Sequence, residues 1–298
     1  MGRSKLTFID ILPRVLILSA WGVLSGVYLW DSSTCLRKAK IRKKIIQDWV
    51  FIGLFILFSI IFLWCYWVTC WSDPGSTERY YQKLGVLNDI QNQRIPPELS
   101  LLPVCKVCHL PKPERAHHCS TCDQCYFRFD HHCPIIGNCV ALYNFKGFIL
   151  MPIYGAILCI LLSIELFIQH KTYFCIIPLP LAIYFLYFSL SYCPKIIHNY
   201  TTLEKLFVRY ERKYAQDKCR NFNEFFDGFL FFLPTKPRVS GFRWSGEHVE
   251  EKVKELENKM NIRNNKIYSQ DEDQVAEDEN IMNDSINDVN EVVDNKGK

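Results

Sequence analysis

Long stretches without charge alternate along this chain with short polar ones. Between Ile11 and Trp30 the only charged residue is Arg14, and Val50–Trp71 is a run of 22 residues with no charge at all. Phe148–Gln169 carries only Glu165, and Tyr173–Cys193 carries no charge. Each run is close to the roughly 20 apolar residues that a helix needs to cross a bilayer. The pattern predicts an α-helical membrane protein with four transmembrane helices. A polar segment, Ser72–Gly147, separates the second helix from the third. The first run is not read as a cleaved signal peptide, because Arg14 interrupts it and no A-x-A-like site follows.

The polar segment carries the chemistry. Pro96, Pro97, Pro103, Pro111 and Pro113 argue against long helices there. Residues 105–139 hold seven cysteines together with His109, His117, His118, His131 and His132. Cys105-x2-Cys108 is followed by His117-His118-Cys119-x2-Cys122-x2-Cys125, then by Asp130-His131-His132-Cys133 and Cys139. Cys-x2-Cys spacing lets two thiolates reach one tetrahedral ion, so the cluster reads as zinc-binding. Two Cys3His sites consume six cysteines and two histidines and leave one thiol over. Spacing alone does not choose His118 over His117, or His132 over His131. A spare thiol flanked by Asp and His is suited to nucleophilic catalysis. So few apolar residues lie here that small knuckles with short β-hairpins, held by metal, are expected. The chain has 14 cysteines, which in another setting would suggest disulfides. However, Cys65, Cys70, Cys159, Cys175 and Cys193 lie in or at the ends of the apolar runs, where cysteine acts as a small hydrophobe. The odd count in the polar cluster fits metal ligands plus one thiol, facing a reducing cytosol.

Net charge is +4, but from Glu247 onward 15 acidic and 7 basic residues give −8, leaving +12 on the rest. A basic body with four spans suits anionic lipid head groups or a phosphate-bearing cosubstrate, and juxtamembrane Lys and Arg also fix topology. Nothing points to nucleic acid. Four spans put the N-terminus, the cysteine segment and the tail on one side, read as cytosolic. The six Lys and Arg of Arg37–Lys44 then fall on the other side, against the positive-inside rule. The thiol argument takes precedence, and the basic stretch is alternatively an interfacial helix. A charged helix is expected over Glu250–Lys259 and disorder beyond Asn261. Met1-Gly2 is not read as a myristoylation signal, because position six is Leu6. No internal repeats are recognised. The organisation expected is helices one and two over 1–71, the cysteine-rich domain over 72–147 and helices three and four over 148–193. A membrane-proximal segment covers 194–246 and an acidic tail 247–298.

With these motifs in register, the chain resembles the DHHC-type protein S-acyltransferases, or palmitoyltransferases. The resemblance runs through Cys105-x2-Cys108, Lys112-Pro113-x-Arg115, His117-His118-Cys119, Cys122, Cys125, the Asp130–Cys133 tetrad, Cys139, Asn144 and Phe148. Asp73-Pro74-Gly75 after the second span, Thr201-Thr202-Leu203-Glu204 after the fourth, and Asn221–Phe226 also match family motifs. It covers residues 1 to about 230 and leaves the acidic tail outside. One departure is Ile135, where the family usually has a Trp near the acyl chain.

The resemblance implies that one zinc takes Cys105, Cys108, His118 and Cys125, and a second takes Cys119, Cys122, His132 and Cys139. Cys133 is then the free nucleophile, which takes a fatty acyl chain from acyl-CoA (palmitoyl-CoA) and passes it to a cysteine of a membrane-associated protein. His131 is the implied base, Asp130 orients it, and Thr202 supports Asp130. Asn144 and Asn221 are expected to brace the cysteine-rich domain and tail against the helices. The implied location is an endomembrane (ER, Golgi or vacuole) with both termini and the cysteine-rich domain cytosolic. Two rival readings are a membrane-anchored RING-like ubiquitin ligase and an inactive relative serving as a scaffold. The first requires a terminal Cys-x2-Cys where this cluster ends Cys133-x5-Cys139. The second is suggested by Ile135. Glu165, near the end of its helix, is read as able to reach the interface.

Overall fold

A computed structural model describes residues 8–38, 42–168, 176–207, 214–226, 230–259 and 261–262. Met1-Gly2, residues 39–41 within the Arg37–Lys44 stretch, residues 169–175 at the edges of the last two apolar runs and the tail beyond 262 lie outside the description. Among the described residues, four helices are long and apolar enough to cross a membrane: Ile11–Thr34, Ile45–Trp71, Phe145–Ile168 and Pro178–Ile197. They belong to α1 (Phe8–Lys38), α2 (Arg42–Trp71), α5 (Phe145–Ile168), and α6 (Pro178–Ser191) continued by α7 (Cys193–Ile197). Pro194, near the start of α7, cannot donate to the preceding turn, so the fourth span breaks at Tyr192.

The most buried span, α5, packs between α2 and α6. Two glycines permit the close approach. A Cβ on Gly147 would lie 3.1 Å from Thr69 Oγ1, and one on Gly155 would lie 3.0 Å from the Phe185 ring. Helix α1 joins through Tyr28, whose ring stacks on Phe55 with centroids 3.9 Å apart. Glu165 is buried within α5 at 4% exposure, among the packed helices.

Between α2 and α5 lie two short helices, α3 (Thr77–Lys83) and α4 (Leu87–Gln91), then two antiparallel hairpins. Strand β1 (His117–Cys119) pairs with β2 (Gln124–Tyr126), and β3 (His131–Cys133) pairs with β4 (Asn138–Val140). The registers match: His118 faces Cys125 as His132 faces Cys139. An internal repeat of 14 residues is therefore present, contrary to the expectation that none exists. Cys105, Cys108, His118 and Cys125 recur 14 positions later as Cys119, Cys122, His132 and Cys139. The repeat escapes notice because its copies interleave, Cys119 preceding Cys125.

The turn at Asp73-Pro74-Gly75 joins this segment to the end of α2. Asp73 Oδ1 accepts from the amides of Gly75 and Ser76, and Gly75 adopts a φ of 115° against the Tyr143 ring. Beyond α8 (Thr202–Phe207) and α9 (Lys218–Phe225), a further helix, α10, covers residues 247–259. The segment assigned to an acidic tail thus opens with a docked helix. Val249, Val253 and Leu256 are buried, and Phe242 ahead of them packs among Tyr80, Tyr81 and Phe127. These apolar residues at helical spacing outweigh the surrounding charge.

Candidate active site and metal centres

Cys105, Cys108, His118 and Cys125 converge with their ligand atoms within 4.8 Å of one another, and so do Cys119, Cys122, His132 and Cys139. In the first group Cys108 Sγ lies 3.1 Å from His118 Nδ1 and 3.7 Å from Cys125 Sγ. In the second, Cys122 Sγ lies 3.4 Å from His132 Nδ1 and 3.5 Å from Cys139 Sγ. Sulfurs bound 2.3 Å from a tetrahedral zinc stand about 3.8 Å apart, so the spacing fits that ion and is far too long for disulfides. Each group could hold one zinc. His118 Nε2 faces Asp123 Oδ1 at 3.5 Å, which would hold the tautomer that leaves Nδ1 free for metal.

Strand alternation separates the neighbouring histidines. In β3 successive side chains point to opposite faces, so His132 turns toward the second cysteine group while His131 and Cys133 share the other face. In β1 the same alternation sends His118 to the first group and leaves His117 lining a cavity. Cys133 belongs to neither group. The 14-residue repeat explains this: Cys133 stands where a third set would begin, and the chain supplies Ile136, Lys146 and Ile153 at the positions of its remaining ligands.

Around this face the polar groups form a relay. His131 Nδ1 lies 2.7 Å from Asp130 Oδ2, leaving Nε2 for the Cys133 thiol, which hydrogen-bonds to His131. Asp130 is buried. It accepts from the Thr202 amide at 2.8 Å and from the Thr202 hydroxyl at 2.6 Å. Lys195 Nζ in turn donates to Thr202 Oγ1 at 2.7 Å. Burial alone would raise the Asp130 carboxyl, yet the bonds from His131 and Thr202 and the Lys195 charge hold it at about 2. Burial likewise works against His131 charging, but its bonds to Asp130 and Cys133 raise it to about 9. Cys133 is held below the ordinary thiol range despite burial, by His131 and the amides of Ile136 and Ile135. A thiolate beside an imidazolium is the state this favours.

The same residues carry the likeness to known proteins. Residues 100–209 match the family model for DHHC palmitoyltransferase. Over those residues the chain resembles the DHHC palmitoyltransferases. It is 56% identical to palmitoyltransferase pfa3 of Aspergillus fumigatus over 55 residues, 18% of this chain and 10% of that protein. It is 33% identical to human palmitoyltransferase ZDHHC20 over 150 residues, 41% of this chain and 40% of the relative. With rat palmitoyltransferase ZDHHC15 the identity is 28% over 185 residues, 55% and 52% of the two chains. These matches cover about half or less of the length of the relatives.

The structure also places the remaining motif residues. Asn144 donates to the carbonyls of Thr69 (3.2 Å) and Cys139 (2.8 Å) and accepts from the Ala141 amide, joining α2 to β4 and the start of α5. Asn221 donates to the Ile197 carbonyl at 2.7 Å and to that of Gln216, tying the end of α7 to α9. Ile135 is 61% exposed at the turn after Cys133. Several residues with a part in the site carry no role in the sequence reading. Arg115 makes a bidentate bond to Glu204, with Nε–Oε1 at 2.7 Å and Nη2–Oε2 at 2.9 Å, and also binds Asn199. Thr201 and Glu204 form a reciprocal cap at the start of α8. That cap sets Thr202 beside Asp130. Asn138, whose amide reaches the carbonyls of Thr69 and Ser72, fixes the second hairpin to α2. Both Arg115 and Glu204 sit inside recognised motifs, but they are 89 positions apart, and no local pattern announces the pair.

Proposed function

We propose that this chain is a protein S-acyltransferase that carries a fatty acyl group from acyl-CoA to protein cysteines through a thioester on Cys133. The observation that carries this reading is the shared face of β3. It places one metal-free thiol, one imidazole and one buried carboxylate in sequence, with Thr202 behind them. In the first step the Cys133 proton passes to His131 Nε2 and Sγ attacks the thioester carbonyl; the Cys133 S–C bond forms as the CoA S–C bond breaks. The departing CoA thiolate takes the proton from His131. In the second step His131 removes the proton of the incoming protein thiol, whose sulfur takes the acyl carbon and releases Cys133 as thiolate. Asp130 holds the imidazole in place and balances its charge in both steps. Two zinc ions, one per ligand group, supply folding free energy to the segment when bound.

Two cavities suit the two ends of acyl-CoA. An apolar one of about 160 Å³ is lined by Ile17, Trp21, Leu24, Phe62, Leu158 and Phe185 among others, between α1, α2, α5 and α6. Its α1 lining extends from Ile17 to Ser25, roughly 12 Å along the helix axis. The other, of about 770 Å³, is lined by Lys112, Arg115, His117 and His198, with Ser245 and Val249 from the C-terminal segment. Purified protein, labelled acyl-CoA and a cysteine peptide test the proposal. The peptide should gain a hydroxylamine-labile acyl group as free CoA appears in equal amount, and added CoA should compete. No CoA release above that of Cys133→Ser would overturn the reading.

Ile135 bears on rate. Trp buries more apolar area against an acyl chain than Ile, on the order of 1–2 kcal/mol at about 25 cal/mol per Å². Felt in the transition state, this is roughly tenfold. Ile135→Trp should therefore raise the acyl-enzyme formation rate by that factor, and a loss of activity would show a pocket shaped around Ile.

The orientation proposed puts the hairpins and both termini in the cytosol, where thiols stay reduced. A cysteine placed near Ser32 should label from the lumenal side of sealed vesicles and one near Gln91 should not. The reverse pattern would contradict this orientation.

A further inference from the structure

Arg14 is the lone charge in the first apolar run, and the relay around Cys133 does not use it. It is 5% exposed in α1, although an arginine within a membrane span is costly unless its donors are met. Its guanidinium meets backbone oxygens. Nε donates to the Ile136 carbonyl at 2.9 Å and Nη2 to that of Gly137, residues more than a hundred positions away in the chain. The Trp71 ring lies 5.4 Å from the guanidinium carbon, and the Tyr66 hydroxyl donates to the Arg14 carbonyl at 2.7 Å. Arg14 is thus held by α2 and holds in turn the tight turn that follows Cys133. That turn closes with the Gly137 amide on the Pro134 carbonyl and with Gly137 at a φ of 58°. Its amides at Ile135 and Ile136 point back at the Cys133 sulfur. Asn138 fastens the far end of the turn to α2, so two helices grip the loop on either side of the thiol.

We propose that Arg14 is a positioning residue for acyl transfer: by occupying the carbonyls of Ile136 and Gly137 it aims the turn's amides at the sulfur of Cys133. The inference rests on the acyltransferase reading, and it makes α1 part of the active site. With one side of the turn released, the amides would no longer be fixed where charge develops on sulfur and on the attacked carbonyl. Binding of acyl-CoA itself would change little.

The test uses the full chain with Arg14→Gln and Arg14→Lys, following acyl-enzyme formation in a single turnover across acyl-CoA concentrations. Zinc content is measured alongside, as is the rate at which a small alkylating reagent modifies Cys133. Arg14→Gln should keep two zinc ions per chain and lower the maximal rate at least tenfold, with the half-saturating acyl-CoA concentration within twofold of the original. Alkylation should slow as well. Arg14→Lys, which can keep one of the two bonds, should recover part of both rates. An unchanged maximal rate in Arg14→Gln, an effect confined to half-saturation, or loss of zinc in both variants would each overturn the proposal. If the unmodified chain forms no acyl-enzyme, the acyltransferase reading fails. The alkylation rates then still decide whether Arg14 places the thiol, and equal rates in all three proteins overturn it.

Discussion

Cys119→Ser should strip metal from the cysteine-rich segment and unfold it. Cys119 ends β1, next to His118 of the first group, yet its sulfur converges with the second. One substitution thus breaks the second ligand set and loosens the strand that presents the first. Structural zinc contributes roughly 10–16 kcal/mol of apparent free energy to small sites of this type, comparable with the whole stability of an ordinary domain. Around Cys119 itself the buried apolar cluster is small, with Tyr126, Phe129, Cys139 and Ala141 besides. Zinc content should fall from two per chain to one or none, and limited proteolysis should cut between 100 and 145. Full metal content with unchanged protease resistance would show that Cys119 is not a ligand.

The second large effect is expected at Asp130. Asn has nearly the same shape and can still accept from Thr202, but it cannot carry the negative charge that fixes Nδ1–H of His131 and balances the imidazolium. In a Ser-His-Asp triad the equivalent change lowers turnover by about ten-thousandfold. Asp130→Asn should lower single-turnover acyl-enzyme formation by roughly three to four orders of magnitude on that basis. Zinc content and the melting profile should stay close to those of the unmodified chain. A decrease of less than tenfold would reduce Asp130 to a structural role and leave His131 to act alone.

Much of this architecture could be read along the chain, because the signals are local. Uncharged runs such as Val50–Trp71 have the length of a bilayer span, and Cys-x2-Cys pairs have the reach of one ion. What spacing did not resolve was which member of each His-His pair faces metal. That depends on strand pairing, since only once β1 and β3 form does their two-residue alternation send neighbours to opposite faces. The interleaved repeat was within reach of the sequence, and it alone explains why Cys133 is the thiol left over. Contacts made by distant segments were not legible. Arg115 finding Glu204, Arg14 finding the Cys133 turn and Trp244 stacking over Arg115 at 4.7 Å each need the folded chain. The helix at 247–259 was expected over Glu250–Lys259, but not its docking, because its apolar stripe is masked by a composition rich in Glu and Lys.

The central claim is that Cys133, alone among the cysteines of the cluster, carries the acyl group. The most direct measurement is intact mass followed by peptide mapping after exposure to palmitoyl-CoA, with and without hydroxylamine. One palmitoyl group should appear per chain, on the peptide containing Cys133, and hydroxylamine should remove it. It should be absent from Cys133→Ser, which should still bind two zinc ions. Acylation persisting in Cys133→Ser at another cysteine, or loss of zinc from that variant, would contradict the account.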